Sequence, residues 1–118
     1  MKFLSLLNQI KTYHLQTRSY AEHQALGGLY DTLDGLIDTF LETYSGRYNE
    51  VPKAQDLVEG GPKNYASNAE VVAFLDEAVG FLENDVPYSL EPTDTELLNI
   101  RDEMLSAVNH AKYLMRLK

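Results

Sequence analysis

Residues 23–42, HQALGGLYDTLDGLIDTFLE, decide what kind of molecule this is. Leu26, Leu29, Leu33, Leu36, Ile37 and Phe40 recur at the spacing of one face of an α-helix, and Tyr44 extends the stripe. The pattern predicts a helix over residues 19–45, with Gly46 as a left-handed terminator. The stretch also opens on His23, carries the adjacent glycines Gly27 and Gly28, and ends in carboxylates at Asp34, Asp38 and Glu42. Each of Gly27, Gly28 and Gly35 costs a helix about 1 kcal/mol relative to alanine. Such a cost is tolerated where another element approaches closely, as a partner helix or a compact core crossing does, or where the helix kinks.

Outward from this stretch the helical period continues. Phe3, Leu6, Leu7, Ile10 and Tyr13 predict a first helix over residues 2–16. Val71, Phe74, Leu75, Ala78 and Leu82 form a third stripe; Leu97, Ile100, Met104, Leu105, Val108, Ala111 and Met115 form a fourth. The pattern S/T-x-x-E stands ahead of three of these stripes, at Ser19–Glu22, Ser67–Glu70 and Thr93–Glu96. There the hydroxyl accepts from an orphan helix N–H while the glutamate reaches back to the cap N–H. Between the second and third helices lies RYNEVPKAQDLVEGGPKNYA, residues 47–66, a long connection with a short helical turn expected around Ala54–Glu59. Between the third and fourth, NDVPYSLEP is a shorter link with two prolines.

Connections that run short, long, short have a topological consequence. Short links join antiparallel neighbours, whereas a long one can cross the full length of a bundle and make the second and third helices parallel. The expected fold is therefore all-α: a single domain over residues 1–118, a four-helix bundle with one long crossover between helices 2 and 3, which is the ferritin-like arrangement. An up-down-up-down bundle with a loose surface loop is the alternative.

Composition narrows the function classes. With 44% hydrophobic and 10% aromatic residues the chain is apolar enough to fold. Its apolar runs are shorter than the roughly 18–20 residues that span a bilayer, and the start MKFLSLLNQIKTYH reads as an amphipathic helix and not a signal peptide. The absence of cysteine excludes disulfides, thiolate metal sites and cysteine nucleophiles, and fits a cytoplasmic location. Eighteen acidic against ten basic residues give a net charge of −8, which repels nucleic acid and concentrates cations. No Gly-rich phosphate loop, serine nucleophile elbow or H-E-x-x-H motif is present.

Histidines and carboxylates are the chemistry that remains. His14 near the end of the first helix and His23 near the start of the second flank a tight corner, which lets two imidazoles approach one another. Neutral imidazole is a borderline donor suited to iron and zinc, though two surface histidines at a corner need no metal. Asp38 and Glu42 are spaced i, i+4 on one helix face and can clasp a cation, with Asp34 extending the line and Asp31 at its edge; a solvated face has the same pattern. Fifteen residues separate His23 from Asp38, roughly 22 Å along a straight helix at about 1.5 Å per residue. No side chains close that gap. If both ends serve one metal, the acids come from a second copy related by a two-fold axis. His110 in the fourth helix is expected at the surface or between helices, and Tyr13, Tyr20, Tyr30 and Tyr44 near the helix pair are expected to pack its interface.

The stretch YHLQTRSYAEHQALGGLYDTLDGLIDTFLE, residues 13–42, resembles the corresponding helix pair of the Dps-like mini-ferritins, DNA-protecting ferritin relatives of starved bacterial cells. His23, Asp38 and Glu42 match that family's H-x14-D-x3-E spacing, and His14 matches its first-helix histidine across a shorter corner. The end, DTELLNIRDEMLSAVNHAKYLMRLK, is similar to the family's last helix, and the whole is similar to small ferritin-like proteins encoded by bacteriophages. The resemblance implies a ferroxidase that binds Fe²⁺, and Zn²⁺ in vitro, through His14 and His23 of one chain and Asp38 and Glu42 of its mate. It implies a homo-oligomer, a two-fold dimer at least and the family's hollow dodecamer at most. Two departures qualify the match. Gly27 stands where the family has an acidic residue, and only Met1 and Lys2 precede the first helix where several members carry a basic DNA-binding tail. Direct DNA binding and membrane association are not expected. The alternative expectation is a non-enzymatic bundle of the same fold that binds a protein partner, such as a phage-type factor acting on a host protein.

Overall fold

A computed structural model describes residues 1–117. Among the described residues all regular structure is helical, with no strand. Five helices appear: α1 (Phe3–Gln16), α2 (Tyr20–Tyr48), the single turn α3 (Ala54–Leu57), α4 (Asn68–Gly80) and α5 (Thr95–Met115). α2 alone, at about 1.5 Å per residue, spans the molecule's 43 Å long axis. Every residue of the third stripe is buried, and Leu6, Leu33, Ile37, Leu75, Leu82, Leu97, Met104 and Val108 are fully shielded from solvent. α2 packs against both α1 and α5, and α4 closes on α5.

The helix ends fix the directions. Arg47 and Tyr48 at the end of α2 meet Asp94 and Glu96 at the start of α5. Asn68, the first residue of α4, donates to Glu22 Oε2 near the start of α2 (2.8 Å) and to the Met115 carbonyl at the end of α5 (3.3 Å). α2 and α4 thus begin at the same end of the molecule. The intervening chain returns along α1, pinned by side chains: Ser5 Oγ accepts from the Glu59 N–H (2.8 Å), Gln16 donates to Asn64 Oδ1 (2.6 Å), and buried Gln9 bonds both ways with the Lys63 backbone (2.9 and 2.8 Å).

Three expectations about helix ends are corrected. Gly46 does not terminate α2; the helix runs on to Tyr48 and ends at Asn49, which takes the left-handed conformation (φ 52°) that asparagine tolerates. The cause is tertiary, because Arg47 and Tyr48 are held helical by their partners on Asp94. The capping boxes form only in part. Ser19 and Ser67 do accept from the Glu22 and Glu70 N–H groups, but Glu22 turns to Tyr13, Thr17 and Asn68. Ahead of α5 the cap residue is Asp94 and not Thr93, and its carboxylate faces inward.

The link at residues 84–92 is also shorter than expected. α4 continues through a π turn (Phe81–Asp85) into a last turn, Val86–Tyr88, before the chain turns at Ser89. The reason lies in Pro87, which has no N–H to give. The Val86 N–H closes on the Phe81 carbonyl, so the next bond of that register, from position 87 to the Leu82 carbonyl, is missing. Arg101 of α5 supplies it instead, donating from Nη1 to that carbonyl at 3.1 Å. Removing the donor leaves a carbonyl of a fully buried residue unpaired. Arg101→Ala is expected to lose roughly 1–3 kcal/mol in urea denaturation, with Arg101→Lys recovering part of it.

Asp94 is the one fully buried carboxylate of the described residues. The Tyr48 hydroxyl bonds Oδ2, the Glu91 N–H donates to the same oxygen at 2.8 Å, and Arg47 Nε pairs with Oδ1. The Tyr48 bond is the strongest influence on its titration; burial opposes it, the Glu91 N–H and Arg47 reinforce it, and the carboxyl is held below its usual 3.8. A carboxylate lowered by folding contributes stability that is complete above the unfolded value and lost as pH falls through the folded one. Asp94→Asn is therefore expected to melt below the parent protein at neutral pH. The gap in melting temperature, followed by circular dichroism, should shrink as pH drops below 3.8.

Candidate metal centre

The corner between α1 and α2 consists of Thr17, Arg18 and Ser19 alone. Ser19 caps α2, its own N–H donates to Thr17 Oγ1 (3.1 Å), and Glu22 gathers the corner by accepting from Thr17 Oγ1 (2.6 Å) and the Tyr13 hydroxyl (3.1 Å). This tight closure brings His14 and His23 together. Their rings stack with centroids 3.9 Å apart and planes inclined by 15°.

Each histidine is fixed by the other's backbone. His14 Nδ1 lies 2.7 Å from the His23 carbonyl oxygen, and His23 Nδ1 lies 2.8 Å from the His14 carbonyl oxygen. A carbonyl only accepts, so both Nδ1 atoms carry hydrogen. In the neutral rings both Nε2 atoms then keep their lone pairs. This is the tautomer in which metal-binding histidines are commonly held, with the second nitrogen tied to a backbone carbonyl. Both rings are half-buried and line a surface groove of about 320 Å³ with Lys11, Gly27 and Asp31.

Gly27 makes the arrangement fit. A Cβ at this position would stand 2.8 Å from His14 Cε1 and 3.2 Å from its Nδ1, inside van der Waals contact. The glycine that looks in sequence like a lost ligand is the surface on which the His14 ring rests. Gly28 and Gly35 are different: a Cβ on either meets nothing within 4 Å in this chain.

The acids lie elsewhere. Asp38 and Glu42 are exposed on α2, as are Asp31 and Asp34, and α2 is unbroken between His23 and Asp38. The reach of roughly 22 Å therefore stands. Among the described residues no three histidines, aspartates or glutamates come close enough to hold a metal ion. The stack sets a further condition. Lone pairs lie in the ring planes, and planes this nearly parallel do not meet within a zinc–nitrogen bond length of about 2.0–2.1 Å. For the two rings to share one cation, one of them would have to turn out of the stack.

Other expected residues fall as follows. His110 is exposed beside Tyr113, with ring centroids 6.2 Å apart. Tyr13 is buried in the helix pair and Tyr30 lies under the Lys11 ammonium (4.8 Å), whereas Tyr20 is exposed and accepts from Gln24 (2.8 Å). Burial raises the Tyr13 hydroxyl's pKa, the Thr17 bond opposes the rise, and the neighbouring Glu22 charge adds to it.

A family model matches residues 14–115, a span that takes in both histidines, the acid pair and all of α5. The chain belongs to DUF5856, a family of unknown function. No curated protein matches it, and no solved structure does.

The close approach at Gly27 can be tested directly. Gly27→Ala gains about 1 kcal/mol of helix propensity but forces the His14 ring off α2. The expected result is a small change in melting temperature with clear displacement of both histidines' imidazole NMR signals. Unmoved signals would show that the rings do not stack against this glycine.

Proposed function

We propose that this chain is a ferritin-like four-helix bundle that binds Fe²⁺ between two copies and oxidises it to Fe³⁺. The observation that carries the proposal is the reciprocal tethering of His14 and His23, which leaves both Nε2 lone pairs unused in a surface groove. The chain path supports the ferritin-like assignment: a three-residue corner joins α1 to α2, and α2 and α4 begin at the same end across the long connection.

In this proposal His14 and His23 of one copy receive Fe²⁺ as substrate, one ring turning out of the stack to share it, and Asp38 and Glu42 of the second copy complete its ligands. A two-fold axis then gives two equivalent sites. Imidazole suits the ferrous ion and carboxylate the harder ferric product, so the mixed set favours the forward step. Each ion gives up one electron, and a peroxide acceptor takes two electrons and two protons to form two waters. The net charge of −8 draws cations to the surface.

A second function has its own supporting observation. The Nδ1 atoms of the histidine pair are satisfied internally and the pair is seated on Gly27, which supports the alternative that it is a structural clasp for the corner of a non-enzymatic, partner-binding bundle. Calorimetric titration with Fe²⁺ under anoxic conditions, and with Zn²⁺, separates the two. Micromolar binding that needs both histidines and Asp38 supports the metal site, and its absence supports the clasp. In the oxidation assay, His23→Ala and Asp38→Ala are each expected to abolish turnover of added Fe²⁺; unchanged rates in both would rule out the proposed centre.

A further inference from the structure

At the other end of α1 and α2 from the histidine corner lies a cavity of about 560 Å³, well within the range of roughly 300–1,000 Å³ typical of small-molecule sites. Its inner wall is aromatic: Phe3 packs against Phe40 and Phe81 with ring centroids 5.3 and 5.2 Å apart. Its charged lining is mostly acidic. Glu50, Asp56, Glu59 and Asp85 all border it, against the Lys2 side chain and the Met1 ammonium among the described residues.

Two of these acids are already engaged. Asp56 accepts from the Lys53 N–H at 3.1 Å, and Glu59 stands 4.0 Å from the Met1 ammonium. Glu50 and Asp85 are exposed and have no ion-pair partner among the described residues. The negative field reaches the cavity wall, since Tyr44, another lining residue, has its hydroxyl pKa raised first by burial and then by the Glu50 charge.

The π turn bears on the same place independently. Closing the Val86 N–H on the Phe81 carbonyl makes a wider turn than an α-helix, and Phe81, Asp85 and Val86 of this turn border the cavity. π turns are uncommon and concentrate at functional sites. Here Phe81 and Asp85, the first and last residues of the turn, line the same cavity.

We propose that this cavity binds a small amphipathic cation: an organic amine whose apolar body lies against Phe3, Phe40 and Phe81 and whose ammonium group faces Asp85 and Glu50. Apolar contact supplies the attraction for the body, while the unpartnered carboxylates favour positive over neutral or negative head groups. The site is separate from the histidine corner and does not depend on metal binding there.

The test uses the full chain, ¹⁵N-labelled, titrated with three probes of equal length: hexylammonium, hexanol and hexanoate. Hexylammonium is expected to shift amides in residues 40–44 and 81–90 and to bind about five-fold more tightly than hexanol, with hexanoate weakest. Glu50→Gln combined with Asp85→Asn, both at exposed positions, should bring the amine down to the alcohol's affinity and leave the alcohol unchanged. Methylammonium, which has the charge and no apolar body, should give no localised shifts. Equal binding of the three probes, shifts outside this region, an unaffected double variant, or no binding at all would each overturn the proposal.

Discussion

The structure depends on one helix burying a single apolar stripe from Ala25 to Phe40. Leu26, Leu29, Leu33, Ile37 and Phe40 of α2 are at most 4% exposed, and each such side chain contributes roughly 1.5–3 kcal/mol when withdrawn from water. α1 covers one part of that stripe and α5 another, so neither flanking helix has an independent core. The same geometry decides where chemistry can occur. With the stripe turned inward, Asp31, Asp34, Asp38 and Glu42 are turned outward, and His23 is left at the helix start where the corner delivers His14.

The stripes were legible because burial and helical period are local properties of sequence. Leu6, Leu33, Leu75 and Val108, one from each long helix, sit where the spacing places them. What the sequence conceals is decided between segments. Asn49 and not Gly46 ends α2 because Asp94, far along the chain, grips Arg47 and Tyr48. Pro87 signals a helix end by local rules, yet a π turn and Arg101 together carry the helix past it. The T-x-x-E pattern at Thr93 is a cap signal by spacing; burial of the next residue, Asp94, overrides it.

The candidate centre divides along the same line. That His14 and His23 meet follows from the length of the corner. That each fixes the other's tautomer does not, because it requires the two backbones to be offset by the right amount in space. Gly27 is the plainest case. Only the folded chain reveals that the space left by its missing side chain is filled by an imidazole from another helix. The phenylalanine cavity was invisible for a related reason, since Phe3, Phe40 and Phe81 come from three helices and look in sequence like ordinary core positions.

The return path along α1 has a consequence of its own. Between Glu59 and Asn64 the backbone is guided by Ser5, Gln9 and Gln16, with Gln9 standing in for a neighbouring strand by offering its amide to the main chain in both directions. The routing of this connection is therefore shared between the helix it crosses and its own Asn64 and left-handed Gly60. A single buried glutamine on the first helix keeps the rail on which the chain travels back.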